Sequence, residues 1–148
     1  MSLEQIIPIL QLAIGPVIVI SGVGLVLLSM TNRFGRVIDR LRSLVENIRS
    51  GIATEETQSF KRQIEILMRR AKILRLAIAF ASVSLVLAAF LVIVLFIAEL
   101  LELQAAKIVV MLFVFCMGCL IVSLLFFIED INVSLSALKV EVDMDNDD

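Results

Sequence analysis

Three segments of this chain contain no Asp, Glu, Lys or Arg, and they are residues 5–32, 76–98 and 108–128. An α-helix rises about 1.5 Å per residue, so roughly 20 apolar residues cross a hydrocarbon core of about 30 Å. A backbone in lipid must satisfy its own hydrogen bonds, and these segments lack the alternation of apolar and polar residues found in barrel strands. The segments therefore predict an all-α membrane protein with three transmembrane helices.

The basic residues predict how the chain lies in the membrane. Eleven of the 13 Lys and Arg residues fall within 33–75, between the first two uncharged segments. Basic residues beside membrane spans stay on the cytoplasmic side. We therefore expect a multi-pass protein of the bacterial inner membrane with its N-terminus outside and its C-terminus in the cytoplasm. The first segment lacks a basic leader and is longer than a signal-peptide core, so it is interpreted as an anchor that is not cleaved.

The predicted organisation divides the chain into six parts. They are a transmembrane helix at 6–32, a cytoplasmic helical hairpin at 33–75, a second transmembrane helix at 76–98, an external loop at 99–107, a third transmembrane helix at 108–128, and an acidic cytoplasmic tail at 129–148. The tail carries seven acids and one base, and its end at 143–148 is expected to be disordered. We also hypothesise that the tail folds against the basic hairpin.

The segment 33–75 has the apolar spacing of a coiled coil. Its apolar residues alternate at intervals of three and four: Phe34, Val37, Leu41, Leu44 and Ile48, then Phe60, Ile64, Leu67, Ala71 and Leu74. This pattern places one narrow apolar seam on each of two helices. Gly51 suits the position after a helix end, and Thr54 suits the start of the next helix. We predict that the first two transmembrane helices extend into a cytoplasmic antiparallel coiled-coil hairpin, as rods over 6–50 and 55–98.

The first span carries a stripe of small and polar residues. Gln11, Gly15, Gly22 and Ser29 fall on one face of a helix, and Arg33 and Arg36 continue it. Such a stripe allows another helix to approach closely, or it lines a water-filled path. Both interpretations remain open at this point.

The interiors of the other spans favour packing over chemistry. The second span has a face of small residues at Ala77, Ala81, Ser84 and Ala88. Cys116 and Cys119 lie near the middle of the third span, in a chain without His, so we interpret them as small packing residues. The three spans contain no Asp, Glu, Lys, Arg or His, the residues on which proton-driven pumps rely. This argues against a proton-driven pump but not against a passive pore.

Charged residues at the ends of the spans are candidates for lipid or ion contacts. At the inner end these are Arg33, Arg36, Arg40, Arg69, Lys72 and Arg75, which we expect to hold anionic lipid headgroups or to attract anions at an inner pore mouth. At the outer end, Glu99 and Glu102 form either an acidic outer mouth or helix-end charges in water.

One passage of the sequence resembles a known family. Residues 29–42 read S-x-T-N-R-x-x-R-x-x-D-R-x-R and follow an A-I-x-P-V opening at 13–17. This pattern is similar to that of a bacterial family of three-helix membrane proteins catalogued as a domain of unknown function, and the resemblance covers nearly the whole chain. It implies the three-helix fold, an inner-membrane location and a long helical hairpin, and it brings no catalytic residues.

The sequence narrows the function to two classes. It has no His, no Gly-rich phosphate loop and no nucleophile–base pair, so we expect neither an enzyme nor a cofactor or metal site. The basic charge of 33–75 is explained by topology, so we do not expect nucleic-acid binding. The favoured hypothesis is a homo-oligomer that forms a passive ion channel with a cytoplasmic helical vestibule. The alternative is a non-conducting scaffold or regulatory subunit that binds a protein partner through its hairpin or acidic tail.

Overall fold

The computed structural model describes residues 3–50, 57–101 and 105–145, with side chains at 7, 10, 11, 14–50, 61–101 and 105–135. The described residues form three α-helices: α1 (Leu3–Arg49), α2 (Thr57–Leu100) and α3 (Ala106–Asp145). The prediction of an all-helical chain is confirmed. One stretch of each helix is long and apolar enough to cross a membrane, namely Ile14–Arg49, Lys61–Leu100 and Ala106–Leu135. These stretches support a multi-pass membrane protein.

The first two helices continue well beyond the uncharged segments. α1 has 47 residues and α2 has 44, about twice the roughly 20 that a bilayer core requires. No Pro interrupts the described part of either helix after Pro16. The residues predicted to end and start these helices, Gly51 and Thr54, lie outside the described residues.

The third helix differs from the prediction. It does not end at Ile128 but continues to Asp145, so the expected disorder is wrong for residues 143–145, and residues 146–148 lie outside the described ranges. Residues 129–145 contain neither Gly nor Pro, so nothing in the backbone stops the helix at the end of the uncharged segment. The acidic residues in this stretch are therefore carried on a helix rather than on an irregular tail.

One compact unit comprises Met1–Leu28 and Ala79–Ser123. On α2 its buried residues include Ala81, Ser84 and Ala88, as the small-residue pattern of the second span predicts. Cys116 and Ser123 are the buried residues of α3 in this unit, among those described. Small side chains let helix backbones approach each other closely, and this is the usual basis of helix association in lipid.

The second compact unit comprises Ser29–Ile78 and Leu124–Asp148. Its core is a cluster of Val37, Leu44, Leu67, Ala71 and Leu74. Five partly buried hydrophobic residues pack against this cluster: Phe34, Ile38, Leu41, Ile64 and Phe127. Eight of these ten residues belong to the apolar seam identified in the sequence. Of the other two seam residues, Ile48 is half-buried and the side chain of Phe60 lies outside the described residues.

Buried positions recur every seven residues along each helix. On α1 they are Val23, Met30, Val37 and Leu44; on α2 one such line is Leu67, Leu74, Ala81 and Ala88; on α3 the line is Cys116, Ser123 and Asp130. A seven-residue repeat keeps one side of a helix against its neighbours over many turns. The last described position of the repeat on α3, Asp130, carries a carboxylic acid.

Candidate functional site

Asp130 on α3 is a fully buried acid. Its side chain has 0% of its surface exposed, and it lies two residues beyond the uncharged segment 108–128. An ionised carboxylate without partners is costly in such surroundings, because several kcal/mol of hydration are lost. The position of Asp130 therefore requires cations from the neighbouring helices.

Two arginines supply these cations. Nε of Arg70 donates a hydrogen bond to Oδ1 of Asp130 at 3.2 Å. Nη2 of Arg33 lies 3.3 Å from the other carboxylate oxygen, Oδ2. Arg33 lies on α1, Arg70 on α2 and Asp130 on α3. One carboxylate thus joins all three helices within the second unit, and we call these three residues the triad.

The two arginine contacts differ in kind. Arg70 makes a directional hydrogen bond, whereas Arg33 makes an ion pair, and Oδ2 has no hydrogen-bond partner among the described residues. The guanidinium carbon of Arg33 also lies 5.5 Å from the centre of the Phe127 ring, three residues before Asp130 on α3. A cation at this distance from an aromatic ring is attracted to the face of the ring. Arg33 is therefore held by a charge and a ring on adjacent turns of α3.

The triad has a surplus of positive charge. Two guanidinium groups face one carboxylate, which gives a formal charge of +1. The side chains of Arg33 and Arg70 keep 26% and 16% of their surface exposed, so they reach from the buried carboxylate to the surface. The arrangement can therefore fasten three helices together and still present cationic N–H groups outward.

The first unit contains a separate pair of polar residues. Oγ of Ser84 donates to the carbonyl oxygen of Cys116 at 3.0 Å, and Sγ of Cys116 donates to the carbonyl oxygen of Ser84 at 3.2 Å. Both residues are buried, and the reciprocal contacts join α2 to α3. This geometry is typical of polar contacts that hold helices together in lipid. Cys116 and Cys119 are free thiols, and the described residues contain no group of three or more metal-ligating side chains.

The small-polar stripe of α1 faces outward. Gln11, Gly15, Gly22 and Ser29 are all exposed. A Cβ atom added to Gly15 or Gly22 would meet no atom within 4 Å beyond the adjacent backbone of its own helix. The described part of the chain therefore leaves this face of α1 uncovered.

The six basic residues predicted at the inner end fall into two groups. Arg33 is partly buried and paired with Asp130, whereas Arg36, Arg40, Arg69, Lys72 and Arg75 are exposed. At the other end, Glu99 is exposed and Glu102 lies outside the described residues. Arg33 thus differs from the other five in having a buried acidic partner.

Sequence reasoning missed two members of the triad. In the sequence, Asp130 is one of the seven acids of a tail that is hypothesised to fold against the basic hairpin, and Arg70 is one of the basic residues of that hairpin, so neither stands out as a site residue. The seven-residue repeat holds the signal that identifies both. Asp130 follows Ser123 by seven residues, and Arg70 precedes Ala77 by seven, so both occupy positions of a buried line. A charge on such a line calls for an opposite charge on a neighbouring helix.

Comparison with known families gives one match. A family model described as "Protein of unknown function (DUF2721)" matches residues 13–140, so the chain belongs to this family, and the resemblance noted in the sequence is confirmed. The matched range includes the whole triad. Searches of the curated proteins and of the solved structures gave no match.

Proposed function

We propose that this member of the DUF2721 family is the protomer of a homo-oligomeric membrane assembly, in which the small-polar stripe of α1 faces a central passive ion path. The exposure of Gln11, Gly15, Gly22 and Ser29 carries the proposal. Polar side chains are unfavourable against lipid tails, and small residues let another helix approach closely, so the stripe is better placed against another helix or against water. Three spans are too few to enclose a water path, so the path forms between copies of the chain.

The chemistry of the stripe supports a passive path. Its four residues carry no titratable group, whereas proton relays and ion-coupled transporters rely on such groups inside the membrane. The hydroxyl group of Ser29 and the amide group of Gln11 are uncharged and suit a pore that replaces part of the hydration shell of an ion. In this proposal residues 33–75 form a helical vestibule on the cytoplasmic side, and Glu99 lies near the outer mouth.

The first test is the oligomeric state. The protein is extracted in mild detergent and examined by native mass spectrometry. A single ring of four or more protomers supports the proposal and leads to reconstitution and conductance recording. A monomer contradicts it. A ring that carries no current supports the alternative, a scaffold or regulatory subunit whose partner is then sought by crosslinking through residues 33–75 or the acidic end of the chain.

A substitution on the stripe gives the second test. A Cβ atom at Gly22 would meet no atom within 4 Å beyond the adjacent backbone of its own helix, so we expect Gly22→Leu to leave the fold of one chain intact and to act on whatever covers the stripe from outside. We expect lower conductance or a lost ring. The control is Val17→Phe, which enlarges a residue that is 50% exposed and lies about 140° around the helix from Gly22. Unchanged current and an intact ring in Gly22→Leu would show that the stripe does not line the path.

A further inference from the structure

We propose that Arg33 and Arg70, together with Arg36 and Arg40, form a binding site for the phosphate group of an anionic phospholipid, and that Asp130 positions the two partly buried arginines for it. The inference does not depend on a pore or on an oligomer. Three observations support it: the N–H donors that the two arginines of the triad keep free, the exposed bases on the same face of α1, and the position of these residues at the ends of the uncharged segments.

The triad leaves hydrogen-bond donors without acceptors. A guanidinium group has five N–H donors in a rigid fork. Among the described contacts, Asp130 accepts one hydrogen bond from Nε of Arg70 and pairs with Nη2 of Arg33. The remaining donors belong to side chains that stay partly exposed, with 26% and 16% of their surface accessible. Planar forks of this kind bind phosphate oxygens in pairs.

Two further bases extend the site along α1. Arg33, Arg36 and Arg40 are spaced by three and four residues, so they lie on one face of the helix. Arg36 and Arg40 are exposed and make no ion pair with another described residue. A third and a fourth positive charge thus lie within two helical turns of the triad, at exposed positions.

The depth of the site relative to the membrane indicates a lipid as the source of the phosphate. Arg33 follows directly after the uncharged segment 5–32, and Asp130 follows two residues after the segment 108–128. The ends of such segments lie where the hydrocarbon core meets the phosphate layer of the lipids. Phospholipid phosphates are therefore present at this level at high local concentration. Free inorganic phosphate has the same chemistry but no such enrichment.

The test measures lipid preference. The wild-type chain is reconstituted in phosphatidylcholine vesicles that contain phosphatidylglycerol, extracted gently, and examined by native mass spectrometry for the ratio of bound lipids. We expect Arg36→Gln/Arg40→Gln to lower the preference for phosphatidylglycerol by at least about fivefold, since each base at a membrane surface contributes about that factor. The control, Arg42→Gln/Arg49→Gln, removes the same charge from exposed positions on another side of α1.

The outcomes separate a site from general attraction. An equal loss in both double variants, or no loss in either, overturns the proposal. A second arm adds excess inorganic phosphate to the extracted protein. Retention of phosphatidylglycerol supports a lipid site, whereas complete displacement of the lipid overturns it.

Asp130→Asn tests the positioning role. It raises the formal charge of the triad from +1 to +2, so electrostatic attraction alone predicts tighter binding of phosphatidylglycerol. The positioning role predicts the opposite, a preference lowered by at least about threefold, because the arginines lose their common anchor. Tighter binding overturns this role and shows that the carboxylate competes with the lipid. Helical content is checked by circular dichroism, and the Arg36/Arg40 variant decides the site independently if Asp130→Asn fails to fold.

Discussion

Asp130→Asn is the substitution that most directly tests the energetic role of the triad. It keeps the size of the side chain and removes the charge, so two guanidinium groups then face each other without a counterion. Breaking a buried ion pair by removing one partner costs about 3–5 kcal/mol. The two arginines are partly exposed, so water recovers part of this cost. We expect a loss of about 2–3 kcal/mol in the free energy of unfolding.

Other changes in the triad should cost less. Arg33→Met leaves Asp130 with Arg70 and its hydrogen bond, so one cation still balances one anion, and the expected loss is about 1 kcal/mol. The triple variant Arg33→Met/Arg70→Met/Asp130→Leu removes all charge and replaces it with apolar side chains. Replacing a whole buried ion cluster in this way is often neutral or stabilising. The expected order of stability is the wild type and the triple variant, then Arg33→Met, then Asp130→Asn.

Thermal unfolding in a single detergent, followed by circular dichroism, checks this order. For a chain of this size 1 kcal/mol corresponds to about 2–4 °C, so Asp130→Asn should lower Tm by about 4–12 °C. Glu129→Gln is the matched control, because Glu129 is the adjacent acid on α3 and is exposed, and it should shift Tm by less than about 2 °C. The reasoning is refuted if Asp130→Asn unfolds no earlier than Glu129→Gln or Arg33→Met.

Three further predictions concern the first unit. Ser84→Ala removes the hydrogen bond to the carbonyl of Cys116 and should lower Tm by about 2–4 °C, the effect of about 1 kcal/mol. Ala81→Leu places a larger side chain at a fully buried position and should lower the free energy of unfolding by about 1–3 kcal/mol, seen as a lower Tm. Ala79→Leu, at an exposed position of the same helix, should leave Tm unchanged. A membrane-permeant maleimide should label half-buried Cys119 faster than buried Cys116, as measured by mass spectrometry of the two single-cysteine variants.

The sequence was sufficient for the helices because their signal is local. An uncharged segment such as 76–98 can satisfy its backbone in lipid only as a helix or in a closed barrel, and its residue pattern excludes the barrel. The apolar seam is also a local signal. Its residues Val37 and Leu44, like Leu67 and Leu74, are seven residues apart, and a helix brings residues at this spacing to one side. Local composition and periodicity therefore predicted most of the fold.

The triad could not be predicted in the same way because it depends on pairing across the chain. Arg33 and Asp130 are 97 residues apart, and each has a sufficient local explanation as a topology signal or as part of an acidic segment. The end of α3 was misjudged for a related reason. The uncharged segment 108–128 bounds the predicted membrane span but not the helix, because charged residues continue a helix readily in the absence of Gly or Pro. The seven-residue repeat places Asp130 on a buried line, but the distances between the side chains are needed to identify its partners.

The triad also bears on the direction of Ser29, the stripe residue that belongs to the second unit. Ser29 lies four residues before Arg33, on the same face of the helix, so an ion pair that fixes the rotation of α1 at Arg33 also fixes the direction of Ser29. Buried polar groups are best attested as devices that set helix register, and this role differs from stability. If the chain forms a ring, Arg33→Met should therefore broaden its subunit number while lowering Tm only slightly. Native mass spectrometry measures this directly, and a single unchanged ring in that variant would limit the triad to a stabilising role.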